Sequence, residues 1–314
     1  MLKKLFSFLC IVSTLCAEAP QEVTPLIHEK KSELQTPPHS PSAQLEEIST
    51  KAPWKAVTLS LLCPGLGQYY LNDYLSGSCI LGSLSAAFSL LQEPDETLNL
   101  TGGISLQATS YYSVFSAYRD ARALNHQNGY KYQMPQDSFK QLALAPVNPH
   151  ILIKPEVWGG YLGAMTAAIG ISALSMNENQ ASVVCSQFPN IPSYLAFPIG
   201  FSEECYYRGF LQPLLSEYLG PTGGMIASSI IFAAAHIPNA QFLEGKAKID
   251  YYTTSLPLIG ALGGYFSYLT YKNNSLQECI AIHSWYDFTL FALYASSKNS
   301  AFAGTKRFQF SFTF

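Results

Sequence analysis

The stretch IGFSEECYYRGF, residues 199–210, places two adjacent carboxylates, Glu203 and Glu204, and one guanidinium, Arg208, in one of the most apolar parts of the chain. Only 12% of the 314 residues are charged, whereas soluble domains carry about 25%. Ionisable side chains inside an apolar helix are expensive and by default mark a function. This stretch therefore raises two questions. The first is whether water or lipid surrounds the fold, and the second is which chemistry these charged residues perform.

The composition favours a membrane protein built of helices. Hydrophobic residues make up 48% of the chain, which includes 20 Tyr and 19 Phe. The formal net charge is −3 and no run of Lys or Arg exceeds two residues, so nucleic-acid binding has no electrostatic support. We therefore expect an all-α fold, a polytopic transmembrane helical bundle whose first partner is the lipid bilayer.

The N-terminal part of the chain predicts export from the cytoplasm. In residues 1–17, Lys3 and Lys4 precede an apolar run, and Ala17 supplies a small residue for cleavage, which is typical of a signal peptide. An uncleaved first helix is the alternative. Residues 18–53 are polar and proline-rich without periodicity, which indicates a disordered spacer. The predicted localisation is the bacterial inner membrane, with several crossings.

Apolar runs recur along the rest of the chain and predict about eight crossings, with six or seven as alternatives. Residues 54–155 contain an N-terminal membrane hairpin region, in which LLCPGLGQYYLNDYLSG (61–77) predicts a helix break with a packing role. This region ends in a hydrophilic loop, 119–155, whose Arg and Lys residues predict a cytoplasmic position. Residues 156–296 hold the remaining apolar runs and form the predicted core.

Two further features have simple explanations. The seven cysteines include no CxxC spacing. Two lie in the predicted signal peptide, and the other five lie in apolar surroundings and are predicted to be small core residues. The C-terminal tail, residues 297–314, ends in RFQFSFTF, an alternation typical of closing strands in outer-membrane proteins. The rest of the chain has continuous apolar runs instead, so an outer-membrane protein is the less favoured alternative.

Three ionisable clusters lie in apolar segments and are candidates for chemistry. Taken singly, each is explained by a buried ion pair or a satisfied histidine. Taken together, two adjacent carboxylates, two imidazoles and a further acid in three apolar helices predict a catalytic site. The residues concerned are Glu203, Glu204, Arg208, Phe232, His236, His283 and Asp287.

The ordered motifs EExxxR, FxxxH and HxxxN/D resemble the CPBP family, which includes the type II CAAX prenyl proteases and the bacterial Abi proteins. Here the motifs are EECYYR, FAAAH and HSWYD, and the resemblance covers roughly residues 155–296. It implies an intramembrane protease in which glutamate activates water without a cofactor. The catalytic residues it implies are Glu203, Glu204, Arg208, His236, His283 and Asp287, with Phe232 in substrate binding. Asp287 stands where the prenyl proteases have Asn, which argues against a prenylated substrate.

Peptide hydrolysis needs a base that activates water and donors for the developing oxyanion. A glutamate in low dielectric suits the role of base. His236 and His283 suit donation to the oxyanion or to the leaving amine, and Asp287 suits orientation of His283 or of the water. A catalytic zinc site is the nearest alternative, although the sequence has no HExxH motif.

The two glutamates are predicted to divide the work. On an α-helix Glu204 and Arg208 lie one turn apart, the spacing of an ion pair. Glu203 is rotated by about 100°, and Tyr207, not a cation, occupies the position four residues after it. We therefore expect Glu203 to be the base and Glu204 to be structural.

The predicted function is an intramembrane endopeptidase that hydrolyses a peptide bond in a membrane-associated protein or peptide. A catalytically silent membrane scaffold or peptide-immunity protein of the same fold is the alternative. The presence of every motif residue favours the enzyme.

Overall fold

The computed structural model describes residues 50–127, 129–175 and 191–302, and within these ranges all regular structure is helical. The predicted signal peptide, almost all of the spacer and the residues after 302 lie outside the described residues. The α-helices are α1 (Pro53–Leu62), α2 (Leu66–Tyr70), α3 (Tyr74–Leu91), α4 (Glu96–Leu124), α5 (Phe139–Leu144), α6 (Pro149–Leu152), α7 (Pro155–Ser175), α8 (Ala196–Glu204), α9 (Gln212–Ala235), α10 (Gly245–Asp250), α11 (Leu256–Asn273) and α12 (Gln277–Phe302). Short 3₁₀ turns span Ala145–Val147, Ser193–Leu195 and Ile237–Phe242, and π-helical turns span Cys205–Leu211 and Tyr251–Ser255.

Local sequence explains where several helices begin. Pro53 opens α1, a position where its missing N–H costs nothing. The carboxylates of Asp73 and Asp95 accept hydrogen bonds from the backbone N–H groups of Ser76 and Leu98, at the starts of α3 and α4. The all-α class predicted from the sequence is confirmed for the described residues.

The stretch 61–77 breaks the first helix and packs closely, as predicted. Gly65 has a φ of 101°, in the left-handed region that favours glycine. A Cβ on Gly67 would come within 2.4 Å of a carbonyl oxygen of α1, so this position also requires glycine. The buried amide of Gln68 donates to the carbonyl oxygen of Ser113 at 2.9 Å, which ties α2 to α4.

A sharp bend divides α9 into two segments. Gly220 has φ 73° and ψ 167° and is followed by Pro221, which cannot continue the hydrogen-bond ladder. A Cβ on Gly224 would lie 2.7 Å from the backbone nitrogen of Ser216. Eight residues of straight helix span about 12 Å, so the chain turns back on itself here.

Two stretches of the described residues are long and apolar enough to cross a bilayer, Tyr74–Leu91 and Ser193–Gln241. The second contains the bend at Gly220 and is therefore two helical segments. Length and composition thus support fewer than the predicted eight crossings. In α12 the mean hydropathy is lowered by Glu278 and by the ionisable residues of the third motif. This helix runs to Phe302, past the predicted core boundary at residue 296.

The segment 119–155 is not the hydrophilic loop that the sequence predicts. Its first residues continue α4, and Met134 and Leu142 are fully buried in the main hydrophobic core, together with Phe115 of α4 and Ile280 of α12. The core therefore joins the N-terminal helices to the C-terminal ones.

Pairing of charges explains how part of this basic segment packs inside, while Lys131 and Lys140 stay exposed. Arg122 is fully buried, and its guanidinium lies 3.5 Å from the carboxylate of Glu217. Lys154 forms an ion pair with the buried Glu278. A buried charge is tolerated when it is paired, so counting Arg and Lys residues overstated how hydrophilic the segment is.

Candidate active site

The first motif lies where a regular helix widens. Glu203 and Glu204 are the last residues of α8, and the π-helical turn Cys205–Leu211 follows them. The sequence predicts an ordinary α-helix here, so this turn is a departure from the prediction. Such π-helical turns occur mostly as local insertions in α-helices and are frequent at functional sites.

One carboxylate oxygen of Glu204 accepts hydrogen bonds from two side chains. Nη1 of Arg208 donates to its Oε1 at 2.9 Å, and both side chains are fully buried. Nδ1 of His283 donates to the same oxygen at 2.7 Å. A carboxylate only accepts, so the proton of this hydrogen bond is on Nδ1. The predicted ion pair is confirmed, whereas the contact with His283 was not predicted.

Aromatic rings surround the rest of the Arg208 guanidinium. Its Cζ lies 4.1 Å from the ring centre of Phe232 and 5.4 Å from that of Phe266. Cation–π attraction of this kind is stronger when the cation is desolvated. Gly263 makes room for the packing, because a Cβ there would come within 3.0 Å of the guanidinium. Phe232 is buried, and its predicted contact with substrate stays a prediction.

Glu203 lies across from the other nitrogen of His283. Its Oε2 is 3.8 Å from Nε2 of His283, and Oδ2 of Asp287 is 3.4 Å from the same nitrogen. This Oε2 is buried and has no hydrogen-bond partner among the described residues. Within the residues that the structure covers, Glu203 therefore has a buried acceptor oxygen without a partner. Oε2 of Glu204 also has none there, but Oε1 of Glu204 accepts from both Arg208 and His283.

His236 follows the last residue of α9 and reaches the cluster through Phe232. Its Nδ1 donates to the carbonyl oxygen of Phe232 at 2.8 Å, which leaves Nε2 as the nitrogen available to the site. The ring of Phe232 lies 4.7 Å from that of His236 and 6.1 Å from that of His283. His236 is close enough to Glu203 to interact with it electrostatically.

A close approach of two helices sets the distance between the motifs. A Cβ on Gly200 of α8 would come within 2.9 Å of the backbone nitrogen of Ser284 on α12. Glycine at this position lets the two helices meet one turn from Glu203 and Glu204, beside His283. The sequence shows Gly200, but its partner on α12 cannot be read from spacing alone.

Three tyrosines packed near Glu203 were not predicted as part of the site, namely Tyr111, Tyr206 and Tyr207. Tyr111 of α4 stacks on Tyr206 with ring centres 4.4 Å apart, and its ring meets Tyr207 edge to face at 6.2 Å. Tyr111 is also close enough to Glu203 to interact with it electrostatically. The N-terminal helices thus contribute to the surroundings of Glu203, and no motif in the sequence signals it.

The structure brings all seven predicted residues into one connected cluster. Asp287 was expected to orient His283 or to help hold the water; it lies at Nε2 of His283, and Glu204 is an additional partner of that ring at Nδ1. Within the described ranges, no group of three or more His, Cys, Asp or Glu side chains has the arrangement of a metal site.

Comparison with known proteins supports the motif assignment. Residues 190–289 match the family model described as Type II CAAX prenyl endopeptidase Rce1-like. The match covers about a third of the chain and includes all three motifs, and it confirms the resemblance to the CPBP intramembrane proteases for this segment. The family supports a membrane-embedded endopeptidase in general terms. No curated protein and no solved structure matches the chain.

Proposed function

We propose that this chain, with its CPBP-family segment at residues 190–289, is an intramembrane endopeptidase that uses glutamate-activated water. The observation that carries the proposal is the buried Oε2 of Glu203. It has no hydrogen-bond partner among the residues that the structure covers, and it faces Nε2 of His283 at 3.8 Å.

In the proposed reaction Glu203 takes a proton from water, and the resulting hydroxide attacks the carbonyl carbon of the scissile peptide bond. The carbonyl oxygen becomes an oxyanion, and the C–N bond then breaks. The proton held by Glu203 passes to the leaving amine, so that one water yields a carboxylic acid and an amine. A general base in this position contributes about 10²- to 10⁴-fold to the rate.

The two histidines are the proposed donors to the oxyanion, each through Nε2 in the protonated imidazolium form, because Nδ1–H of each ring is already engaged. Glu204 fixes the ring of His283 through Nδ1, and the carbonyl oxygen of Phe232 fixes that of His236. Preorganised donors of this kind stabilise charge as it develops, without reorganisation during the reaction. Asp287, next to Nε2 of His283, is proposed to help hold the attacking water.

We further propose that the fold is a multi-pass bundle in the bacterial inner membrane. Large apolar side chains on several helices are more than half exposed, which in water would favour aggregation but suits contact with lipid. They include Leu62, Trp158, Leu162, Ile226 and Ile230. The substrate is then a protein or peptide held at the same membrane.

Cysteine labelling tests the proposed orientation. Residues 119–155 should face the cytoplasm, and residues 18–53, after a signal peptide ending at 17, should lie on the other side. A cysteine at position 44 and one at position 136, in a background without the native cysteines, should react from opposite sides. Gln136 is exposed in the fold, so its labelling reports sidedness and not burial. Labelling from the same side would contradict this orientation, and recovery in the outer membrane would contradict the location.

Cleavage of a membrane-peptide library by the full chain in liposomes tests the function. The library should include prenylated and unprenylated copies of each peptide, because Asp287 predicts a preference for the unprenylated ones. Wild type should cleave a subset, and Glu203→Gln should cleave none. Glu96→Gln makes the same chemical change on an exposed helix start and should behave as wild type. Identical background from wild type and Glu203→Gln would point instead to a silent scaffold or peptide-immunity protein.

A further inference from the structure

The position of His236 depends on the end of α9. His236 directly follows the last residue of this helix, where backbone carbonyl groups have no partner within the helix. The carbonyl oxygen of His236 accepts two hydrogen bonds, one from the backbone N–H of Asn239 at 3.0 Å in the following 3₁₀ turn and one from the hydroxyl of Tyr251 at 2.7 Å. The hydrogen bond from Tyr251 links His236 to a residue that none of the three motifs contains.

The side chain of Tyr251 is buried and packed on several sides. Only 1% of it is exposed, and it packs in a small hydrophobic cluster with Ala240, Leu243 and Tyr294 of α12. It is also the first residue of the π-helical turn Tyr251–Ser255. Both π-helical turns in the part of the chain that the structure describes therefore carry a residue that touches the site, Arg208 in one and Tyr251 in the other.

His236 is thus held at both its ring and its backbone. The carbonyl oxygen of Phe232 holds the ring through Nδ1, and Tyr251 adds a side-chain hydrogen bond at the backbone carbonyl, beside the local bond from Asn239. The hydrogen bond at Nδ1 sets the rotation of the imidazole ring. The hydrogen bond from Tyr251 helps to set the position of the backbone that carries this ring. Small errors in the position of a reacting group are costly, since a displacement of about 1 Å lowers a rate by up to about 10²-fold.

We propose that Tyr251 is a positioning residue of the hydrolytic site, whose hydroxyl holds the backbone of His236 so that the imidazole keeps its place against Phe232 in the cluster. The inference rests on the proposed function for its catalytic consequence. Tyr251 does not touch the reacting atoms, and it acts only through His236.

The test compares Tyr251→Phe with Tyr252→Phe in the full chain, with the library peptide that wild type cleaves fastest. Tyr251→Phe keeps the packed ring and removes the donor. Tyr252 is its neighbour, 40% exposed, and its ring meets that of Tyr251 edge to face, so Tyr252→Phe is the matched loss of a hydroxyl. Tyr251→Phe should lower kcat by roughly 10- to 100-fold and leave KM unchanged, whereas Tyr252→Phe should leave both unchanged.

A second readout does not depend on cleavage. Diethyl pyrocarbonate modifies accessible neutral imidazoles, and mass spectrometry gives the rate for each histidine. In Tyr251→Phe the rate at His236 should rise several-fold, while His150, an exposed histidine away from the cluster, should react as in wild type. Tyr252→Phe should change neither rate.

The two readouts separate the possible failures. Equal kcat and an equal rate at His236 in Tyr251→Phe and Tyr252→Phe would overturn the positioning role. Absence of Glu203-dependent cleavage in wild type would overturn the proposed function, and the modification rate alone would then decide whether Tyr251 holds His236.

Discussion

Two buried polar networks in this protein contrast with each other. The network in the N-terminal helices is neutral: Gln68 donates to the carbonyl oxygen of Ser113 at 2.9 Å and to Oγ of Ser116 at 2.7 Å, and Ser113 bonds back to Gln68. The network around Glu203 and Glu204 is charged. Several of its atoms, including Oε2 of both glutamates, have no hydrogen-bond partner within the described ranges.

The difference fits a structural network in the N-terminal helices and the proposed catalytic network around Glu203. Among the described residues, unpartnered buried atoms also occur at Gln212 and Glu278, so the contrast lies in how many such atoms gather around Glu203. Buried polar groups in folded proteins are almost always hydrogen-bonded, and each exception requires an explanation. The N-terminal network meets this rule and needs no explanation beyond packing. The charged network violates it at the oxygen that the proposed mechanism uses, which is the pattern expected where binding of water and substrate completes the bonding.

The largest expected effect comes from Glu203→Gln. The amide keeps the shape of the side chain but cannot take a proton from water, so kcat should fall by about 10²- to 10⁴-fold. The melting temperature should stay the same or rise, because an under-paired buried charge disappears. Scanning calorimetry and peptide cleavage on the same preparation measure both quantities.

The assignment of roles to the two glutamates is wrong if the two Gln variants show each other's expected behaviour. Glu203→Gln would then keep full activity, and Glu204→Gln would be stable and inactive. In that case the contrast between a paired and an under-paired carboxylate does not identify the base.

Glu204→Gln should mainly affect stability. It removes the anion that pairs with Arg208 and holds Nδ1 of His283, and breaking a buried pair costs about 3–5 kcal/mol. The yield and the midpoint of denaturation should fall, with activity following. Glu217→Gln breaks a second pair, that of a partly buried carboxylate with the fully buried Arg122, outside the site.

The comparison of these two variants isolates the role of His283. Both should be destabilised, but only Glu204→Gln should lower kcat per folded molecule. If Glu217→Gln lowers kcat equally, then loss of stability explains both effects and the contact between Glu204 and His283 has no separate role.

The sequence predicted which residues form the site because spacing reveals them. Glu204 and Arg208, and likewise His283 and Asp287, stand four residues apart and share a helix face, and the structure shows both pairs in contact. The helical class followed from the apolar runs in the same way. These features depend on neighbours along the chain, which a single sequence contains.

The features that the sequence missed depend on packing between distant segments. Glu204 and His283 are separated by 79 positions, and their contact requires the close approach of α8 and α12 at Gly200. The stacking of Tyr111 beside the site has the same origin. The burial of segment 119–155 was missed because its ion-pair partners, such as Glu217, lie far along the chain.

A moderate effect is expected from Gln68→Leu in the neutral network. The change leaves the hydroxyl of Ser116 and the carbonyl of Ser113 without their amide partner, which costs about 1–3 kcal/mol when the groups stay buried. Denaturation in detergent should show this loss, while kcat should not change. Loss of kcat without loss of stability would mean that the N-terminal network also serves the reaction, and the contrast between the two networks would fail.

The smallest effect is expected from metal chelation. A catalytic zinc needs three protein ligands and one open position, and the two imidazoles are the natural candidates here. Nδ1 of His283 is bound to Glu204 and Nδ1 of His236 to the carbonyl oxygen of Phe232, bonds that zinc-ligating histidines also make, so the expectation of metal-free catalysis rests on Glu203. Glu203 has the free oxygen that a proton acceptor requires. Prolonged treatment with EDTA or 1,10-phenanthroline should therefore leave kcat unchanged, measured beside a zinc peptidase that loses activity under the same conditions.

Stoichiometric zinc in the purified protein, with activity lost on its removal and restored on its return, would replace glutamate-activated water with metal-activated water. The charged network would then be a ligand set, and its under-paired oxygens would be explained by the metal.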